Sequence, residues 1–287
     1  MKTNKAYLFL LPGAILFLTF SVYPIFKALQ MSFFDWSIFG RSSFVGWQNY
    51  IKALTDPDFH LAMRNTIYYG LVTVPGQMII AMIVAVLLDR KLKGRVIYRA
   101  LYFLPVVTSW VVVSFIFKYL YNQQGLSNYI LNDLLHFIPE NISWLTNPKT
   151  ALWAIMILGI WKGIGWTMVI YLGGLAGIPR ELYEAAKVDG ANVWQQFWRI
   201  TLPLLRPTIT FVLIMLAIGS FNVFISVYIM TQGGPLGQTE VALTYMYRHA
   251  FDYLELGYGA AVSYILAIII FIVSIIQYKF LRVPTEF

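Results

Sequence analysis

Six apolar runs, each long enough to cross a lipid bilayer, occupy almost half of this 287-residue chain. A membrane helix needs about 20 predominantly apolar residues. Hydrophobic residues make up 59% of the sequence and charged residues only 12%, whereas a soluble domain carries about 25% charged residues. The pattern predicts an all-α polytopic membrane helical bundle, formed by a single domain over residues 1–287. The six predicted spans cover about 7–29, 66–88, 100–120, 151–172, 207–230 and 258–280.

Two of these spans contain residues that interrupt regular helices. Pro75 and Gly76 lie inside the second span, and Pro105 lies inside the third. Such residues are tolerated in membrane helices, because neighbouring groups satisfy the freed backbone atoms, so kinks are predicted there.

The first run follows Lys2 and Lys5, as a signal peptide would. It is long and no small-residue cleavage site follows it closely, so an uncleaved span is predicted.

Basic residues predict the orientation of the spans. They concentrate in the connection 89–99 and in the connection after the fourth span, whereas the third and fifth connections hold only Lys149 and Arg248. Basic residues are retained on the cytoplasmic side, so both termini and these two basic connections are predicted to be cytoplasmic. The same bias explains the net charge of +8 without a nucleic-acid partner. The basic residues of the two termini and the two basic connections are Lys2, Lys5, Arg90, Lys91, Lys93, Arg95, Arg99, Arg180, Lys187, Arg199, Arg206, Lys279 and Arg282.

A polar segment of thirty residues, 178–207, separates the fourth and fifth spans and is called the polar loop below. Pro179 suits the first position of a helix, where a missing N–H is harmless. Glu181 and Glu184 follow in the first turns, where negative charge is favourable against the helix dipole. Asp189 and Gly190 then supply a stop signal. The first half of the loop is therefore predicted to be one short helix.

The second half of the polar loop predicts another short helix, over about 192–200. Val193, Phe197 and Ile200 would lie on one side of it, and Pro203 would help to redirect the chain into the next span. The residues alone leave two interpretations open. The hairpin could contact a partner in the aqueous phase, or it could lie on the lipid surface.

The motifs of the polar loop resemble the signature loop of ABC importer permeases. They are Glu184-Ala185-Ala186, Asp189-Gly190-Ala191 and Ile200-Thr201-Leu202-Pro203. Further stretches, at 45–50, 101–125, 161–179 and 231–235, resemble the maltose-type carbohydrate branch of that family and its MalF-like subunit. The resemblance implies a type I ABC importer permease fold, in which this loop is a coupling helix that docks into the ATP-hydrolysing subunit. The coupling residues that it implies are Glu181, Glu184, Ala185, Ala186, Asp189, Gly190 and Pro203.

Two stretches inside the spans are candidates for contact with a transported solute. Gly159, Lys162, Gly163 and Trp166 have the spacing of one helix face. Small residues in membrane helices also mark close helix packing, and that interpretation stays open. A cation inside a span usually faces a cavity or a partner, but Lys162 could instead reach the interface. In the fifth span, Leu216, Gly219, Ser220 and Val223 repeat this spacing, and Asn222 lies close by. The candidates of this second stretch are Gly219, Ser220, Asn222 and Val223.

By resemblance, these two stretches match those that line the sugar site of maltose-type permeases. Trp166 offers an aromatic surface for a sugar ring. Few acidic groups and a single lysine suit a neutral di- or oligosaccharide, and the alternative is glycerol phosphate or another polyol. Maltose itself is not implied, since the residues of this chain differ from those of the maltose protein.

Several functions are disfavoured by what the sequence lacks. There is no phosphate-binding loop for ATP, and no acidic residue or histidine lies inside the predicted spans, as a gradient-driven carrier would need. The chain has no cysteine and three scattered histidines, so neither a metal site nor an enzyme is predicted. A channel, a gradient-driven carrier and a scaffold without transport are the remaining alternatives.

The resemblance also implies an assembly in the inner membrane of a prokaryote. Its other members would be a second, MalG-like permease subunit, two ATPase subunits that bind ATP and magnesium, and an extracellular solute-binding protein. No cofactor is expected in this chain itself, and membrane lipid would surround it.

Overall fold

The computed structural model describes residues 3–37, 43–90 and 93–281. Lys2, Lys91 and Arg282, three of the basic residues used to predict orientation, lie outside these ranges. The helices are α1 (Thr3–Phe17), α2 (Tyr23–Ser32), α3 (Gln48–Thr55), α4 (Pro57–Asp89), α5 (Arg95–Val107), α6 (Trp110–Leu120), α7 (Leu126–Asn128), α8 (Ala151–Ala176), α9 (Arg180–Val188), α10 (Val193–Gln196), α11 (Leu202–Leu204), α12 (Arg206–Phe221), α13 (Ile225–Met230), α14 (Ala242–Tyr247) and α15 (Leu256–Leu281). Strand β1 (Phe34–Asp35) pairs antiparallel with β2 (Ser43–Phe44). Single π-helical turns cover Leu18–Val22, Tyr129–Leu134, Phe197–Thr201 and Arg248–Asp252.

Within the described residues, five helical segments are long and apolar enough to cross a membrane. A sixth span is formed if α5 and α6, which bend by 98° at their junction, are taken as one broken span. The predicted all-α membrane fold is therefore confirmed, with five or six spans. The five unbroken segments are Phe9–Ser32, Pro57–Asp89, Ala151–Ala176, Arg206–Met230 and Leu256–Leu281.

Proline has different effects in the second and third spans. Helix α4 runs without interruption through Pro75, whereas the helix that contains Pro105 ends two residues later, at Val107. Thr108 and Ser109 are extended, and the Ser109 hydroxyl accepts a hydrogen bond from the N–H of Val111 at 3.3 Å. This cap begins α6 in a new direction, because a serine oxygen can satisfy a free N–H at a helix start.

The chain divides into two compact units, of which the larger comprises 61–242 and 270–287. Its core consists of two buried clusters along α8. One cluster surrounds Ile155 and Leu158 and includes Tyr69 of α4 and Val227 of α13. The other surrounds Tyr171 and includes residues of α4 and α12. Lipid tails are as apolar as these side chains, so close packing rather than removal from water holds such helices together.

The smaller unit comprises 1–60 and 243–269. Asn49 ties α3 to the preceding chain by donating hydrogen bonds of 2.9 Å to the carbonyl oxygens of Ser32 and Phe34. The Tyr245 hydroxyl donates to Asp56 at 2.7 Å and is hydrogen bonded to the Tyr258 hydroxyl at 2.7 Å. Polar side chains therefore connect the helices of this unit.

Candidate functional site

The polar loop folds as two helices separated by a tight turn. Pro179 has extended ψ (132°), so α9 begins at Arg180 and Pro179 is its N-cap rather than its first helical residue. The helix ends at Val188, and Gly190 has φ of +80°. That left-handed conformation is adopted readily by glycine and resisted by most other residues. The stop signal predicted at Gly190 is present in the structure.

The second helix of the polar loop is longer than predicted. Asn192 caps it: its side chain accepts from the N–H of Gln195 at 2.9 Å, and the Gln195 amide accepts from the N–H of Asn192 at 2.8 Å. The chain then stays helical from Val193 through Leu204. Pro203 does not end the helix, because it occupies an early position of α11. Helix α11 ends at Leu204, and α12, the next span, begins at Arg206.

The ends of the polar loop are anchored, while its turn is exposed. Ile178 and Leu205, at the two ends, are buried in the same cluster as Tyr171. The Tyr183 hydroxyl is hydrogen bonded to Thr201 at 2.9 Å and joins the two helices. Most of the predicted coupling residues are exposed, and Ala186 is partly buried. The exposed ones are Glu181, Glu184, Ala185, Asp189, Gly190 and Pro203.

Two glycines of the predicted solute face pack against α4. A Cβ atom added at Gly159 would overlap the Tyr69 hydroxyl, and one at Gly163 would overlap the Gln77 side-chain amide. Tyr69 and Gln77 are both buried. The glycines therefore allow α8 and α4 to approach closely.

Lys162 is buried where the third span breaks. Its ammonium group donates to the carbonyl oxygens of Pro105 at 2.6 Å and Thr108 at 2.8 Å, and lies 4.9 Å from the centre of the Trp110 ring. The last carbonyls of a helix have no partner within it, and positive charge is favourable there. Lys162 thus caps the C-terminus of α5. Trp166, one turn further along α8, is partly buried.

The candidate solute-contact residues of the fifth span lie around the break between α12 and α13. Helix α12 ends at Phe221, and the Asn222 amide donates to the carbonyl oxygen of Ile218 at 2.9 Å. Gly219 and Asn222 are exposed, and a Cβ at Gly219 would meet no atom within 4 Å. Ser220 is buried opposite Gly70 of α4, and Val223 belongs to the buried cluster around Ile155.

A family profile described as "Binding-protein-dependent transport system inner membrane component" matches residues 77–282. The chain belongs to this family. It is therefore a transport permease of the membrane and not an enzyme. The match includes the polar loop and both candidate stretches.

Relatives of known name support the assignment over almost the whole chain. The arabinooligosaccharides transport system permease protein AraP of Bacillus subtilis is 38% identical, covering 97% of this chain and 88% of its own. The lactose transport system permease protein LacF of Rhizobium radiobacter is 35% identical, covering 96% and 93%. A crystal structure of a bacterial ABC transporter that imports alginate has a TM-score of 0.86 at 24% identity, covering 98% of this chain and 96% of its own. The predicted type I ABC importer permease fold is thereby confirmed.

The structure adds residues of this permease that the sequence analysis missed. Thr66, Tyr69, Thr73 and Gln77 are all buried on α4. Their spacing of three or four residues places them on one helix face. A polar stripe within an apolar run was the available signal. The carbonyl partners of Lys162 had no such signal, because they lie 54 and 57 residues away in the chain.

Within the described residues, no group of three histidine, cysteine or carboxylate side chains could hold a metal ion.

Proposed function

We propose that this permease forms half of the pathway of an ATP-driven importer for a neutral oligosaccharide. The observation that carries the proposal is the polar loop, which has buried ends and an exposed turn in a family of transport permeases. Relatives named for arabinooligosaccharides and lactose support an oligosaccharide as the solute.

The polar loop couples the permease to an ATPase subunit, which binds ATP and magnesium. Ala185 is small and exposed, so the partner's backbone can approach α9 closely. Glu181 and Glu184 offer charge to a basic groove, and Gly190 fixes the angle between the two helices. Because Ile178 and Leu205 are packed in the core, a displacement of the turn is transmitted to α8 and α12.

The solute passes the interruption of the fifth span. Gly219 and Asn222 are exposed there, and Asn222 can offer its amide oxygen and its second N–H to sugar hydroxyls. Lys162 and Trp166 of α8 also contact the solute. The Lys162 ammonium group has three N–H donors; two of them donate to carbonyl oxygens of the protein, and the third is left for a sugar hydroxyl. Gly159, Gly163, Ser220 and Val223 shape the path by holding α8 and α12 close to their neighbours.

The proposed complex contains a second permease subunit, two ATPase subunits and an extracellular solute-binding protein, in the inner membrane. A solved structure of the alginate transporter, 24% identical to this chain, is described as a complex with an alginate-pentasaccharide-bound periplasmic protein. In this proposal the polar loop and both termini lie in the cytoplasm.

Uptake by the reconstituted complex tests the proposal. We expect arabino-oligosaccharide or lactose to accumulate only with ATP and the binding protein. Accumulation by this chain alone in a pH or sodium gradient, or uptake of none of these sugars, would contradict it.

The path is tested separately in the active complex. Asn222→Ala should lower uptake while ATPase activity persists. Ser274→Ala is the matched control, because Ser274 also donates to a carbonyl four residues earlier, at 2.8 Å. Equal effects of the two substitutions would remove Asn222 from the path.

A further inference from the structure

A cleft of about 570 Å³ lies in the larger unit, at the opposite end of α8 from the polar loop. Helix α8 has 26 residues and is therefore about 39 Å long. The polar loop follows its C-terminus, whereas Trp144, in a wall of the cleft, shortly precedes its N-terminus. We call this site the outer cleft; its walls are the end of α6 with the turn after it, the segment 143–146 and the segment 230–235.

One wall of the outer cleft is held rigidly by Asn128, which is fully buried. The Asn128 amide donates to the carbonyl oxygens of Gln123 and Ile142, both at 2.9 Å. Its oxygen accepts from the N–H of Ile142 at 3.2 Å and from the Trp144 indole N–H at 2.9 Å. A single side chain therefore fixes the turn after α6 and the orientation of the Trp144 ring.

The opposite wall is also held by internal hydrogen bonds. The hydroxyls of Thr231 and Thr239 lie 2.7 Å apart, and Thr239 donates to the carbonyl oxygen of Gly234 at 2.6 Å. Lys118 joins the two walls, because its ammonium group donates to the carbonyl oxygen of Ile229 at 3.0 Å. The cleft is thus formed before any ligand arrives.

The lining combines aromatic rings with a few polar groups. The rings of Tyr121 and Trp144 lie 5.7 Å apart, beside the amides of Asn122 and Gln123 and the ammonium group of Lys118. No acidic side chain is among the residues that line the cleft. Small-molecule sites have volumes of about 300–1,000 Å³ and this mixture of apolar surface and converging polar groups.

We propose that the outer cleft binds one end of the oligosaccharide before it enters the membrane path. The C–H face of a pyranose or furanose ring packs on Trp144, and its hydroxyls bond to the amides and to the remaining ammonium hydrogens of Lys118. The absence of acidic groups favours neutral and acidic sugars over cationic amino sugars. This inference rests on the proposed import function and adds a second sugar site, distinct from Asn222.

Cysteine protection in the reconstituted complex tests the outer cleft, since the native chain has no cysteine. Thr146 lines the cleft and is exposed, whereas Lys149 is exposed nearby and does not line it. Thr146→Cys should react more slowly with a small thiol reagent when the imported sugar, arabino-oligosaccharide or lactose, is added. Lys149→Cys should react at an unchanged rate.

The binding protein provides the decisive comparison. If sugar-free binding protein protects Thr146→Cys as well as its sugar-loaded form does, the cleft is a protein-docking surface and the proposal is overturned. Unchanged labelling in a complex that does import the sugar also overturns it, while leaving the proposed function intact. A complex that imports none of the tested sugars refutes both.

Uptake kinetics give an independent readout. Trp144→Leu removes the aromatic surface, so the sugar concentration for half-maximal uptake should rise about three- to tenfold. Trp144→Phe is the matched control: it also loses the bond to Asn128 but keeps a ring, and should stay near the native value. Equal effects of the two would show that only the bond to Asn128 matters.

Discussion

Gly190 is the residue whose conformation most constrains the polar loop. Its φ of +80° is unfavourable for a β-branched side chain, by about 1–3 kcal/mol. Gly190→Val should therefore reduce ATP-driven uptake by about tenfold or more, while the complex still assembles. The measurement is uptake by reconstituted complexes of equal subunit content.

The control for Gly190 uses the same position. Asparagine tolerates the left-handed conformation better than other non-glycine residues, so Gly190→Asn should retain most of the uptake. Since a Cβ at this glycine meets no atom within 4 Å, a crowding effect is not expected. Loss of uptake in the asparagine variant, or normal uptake in the valine variant, would contradict the prediction.

The sequence predicts that Lys162 has a buried partner, but it does not identify that partner. A lysine inside a span predicts a buried partner, and the structure supplies two carbonyl oxygens at the break of the third span. The sequence could not identify them, because the break depends on how α5 and α6 pack beside α8. The role of Lys162 in solute contact stays a prediction.

Lys162→Met should lower both stability and uptake. It leaves the carbonyl oxygen of Thr108 without its buried donor and that of Pro105 with only the Thr108 hydroxyl, at 2.6 Å, at a cost of about 1–3 kcal/mol. Thermal unfolding of the purified complex measures this, with Lys149→Met as an exposed control. If stability were unchanged and only uptake fell, Lys162 would act on the solute rather than on the helix end.

At the scale of elements, the close approach of α4 and α8 depends on small residues. The sequence predicted either a solute face or helix packing at Gly159 and Gly163, and it could not decide, because both need the same spacing. The structure places the polar stripe of α4 against them.

Gly159→Ala should destabilise the complex by about 1–3 kcal/mol, because the new methyl group displaces Tyr69. Gly173→Ala, in the same helix, is the matched control, since a Cβ there meets no atom within 4 Å. The unfolding temperatures of the two variants are compared with that of the native complex. Equal stability of the two variants would show that the Tyr69 side chain moves aside without a loss of stability.

In the smaller unit, Glu255 links α3 to the chain before α15. Burial alone would raise its pKa, but the hydrogen bond from His249 at 2.8 Å and the charge of Lys52 at 3.3 Å lower it overall. A lowered pKa means that ionised Glu255 stabilises the fold at neutral pH. That contribution disappears as the pH falls through the pKa of the folded state.

Glu255→Gln should therefore lower the unfolding temperature at neutral pH, by an amount equivalent to about 1 kcal/mol or less for so exposed a group. The difference from the native complex should shrink as the pH falls below about 4, where an ordinary glutamate is protonated. A difference of the same size at both pH values would show that the charge is not the cause.

At the scale of the whole molecule, the six spans and the family follow from the sequence, because both depend on local patterns. Run length and hydropathy define the spans, and the polar loop carries the family motif. The 98° bend between α5 and α6 had only Pro105 as a signal, and the outer cleft had none, since its walls come from three separate segments.

Contacts along α8 indicate that α5 and α6 form one span rather than a loop that returns to its own side. Tyr102 lies against Gly165, and Thr108 contacts Lys162. Tyr121 then packs on Trp144, which precedes α8. From α5 to the end of α6 the contacts thus move toward the start of α8, with Phe117 of α6 still packed on Trp161, and this order favours a single span that ends on the other side of the membrane.

Cysteine labelling tests this topology in a chain with no native cysteine. Five basic residues in 89–99 against one in 231–257 place the first connection inside and the second outside. In intact cells, Leu236→Cys, at a side chain that is 85% exposed, should react with an impermeant thiol reagent. Arg95→Cys should react only after the membrane is opened. Reaction of both cysteines from outside would instead make α5 and α6 a re-entrant loop.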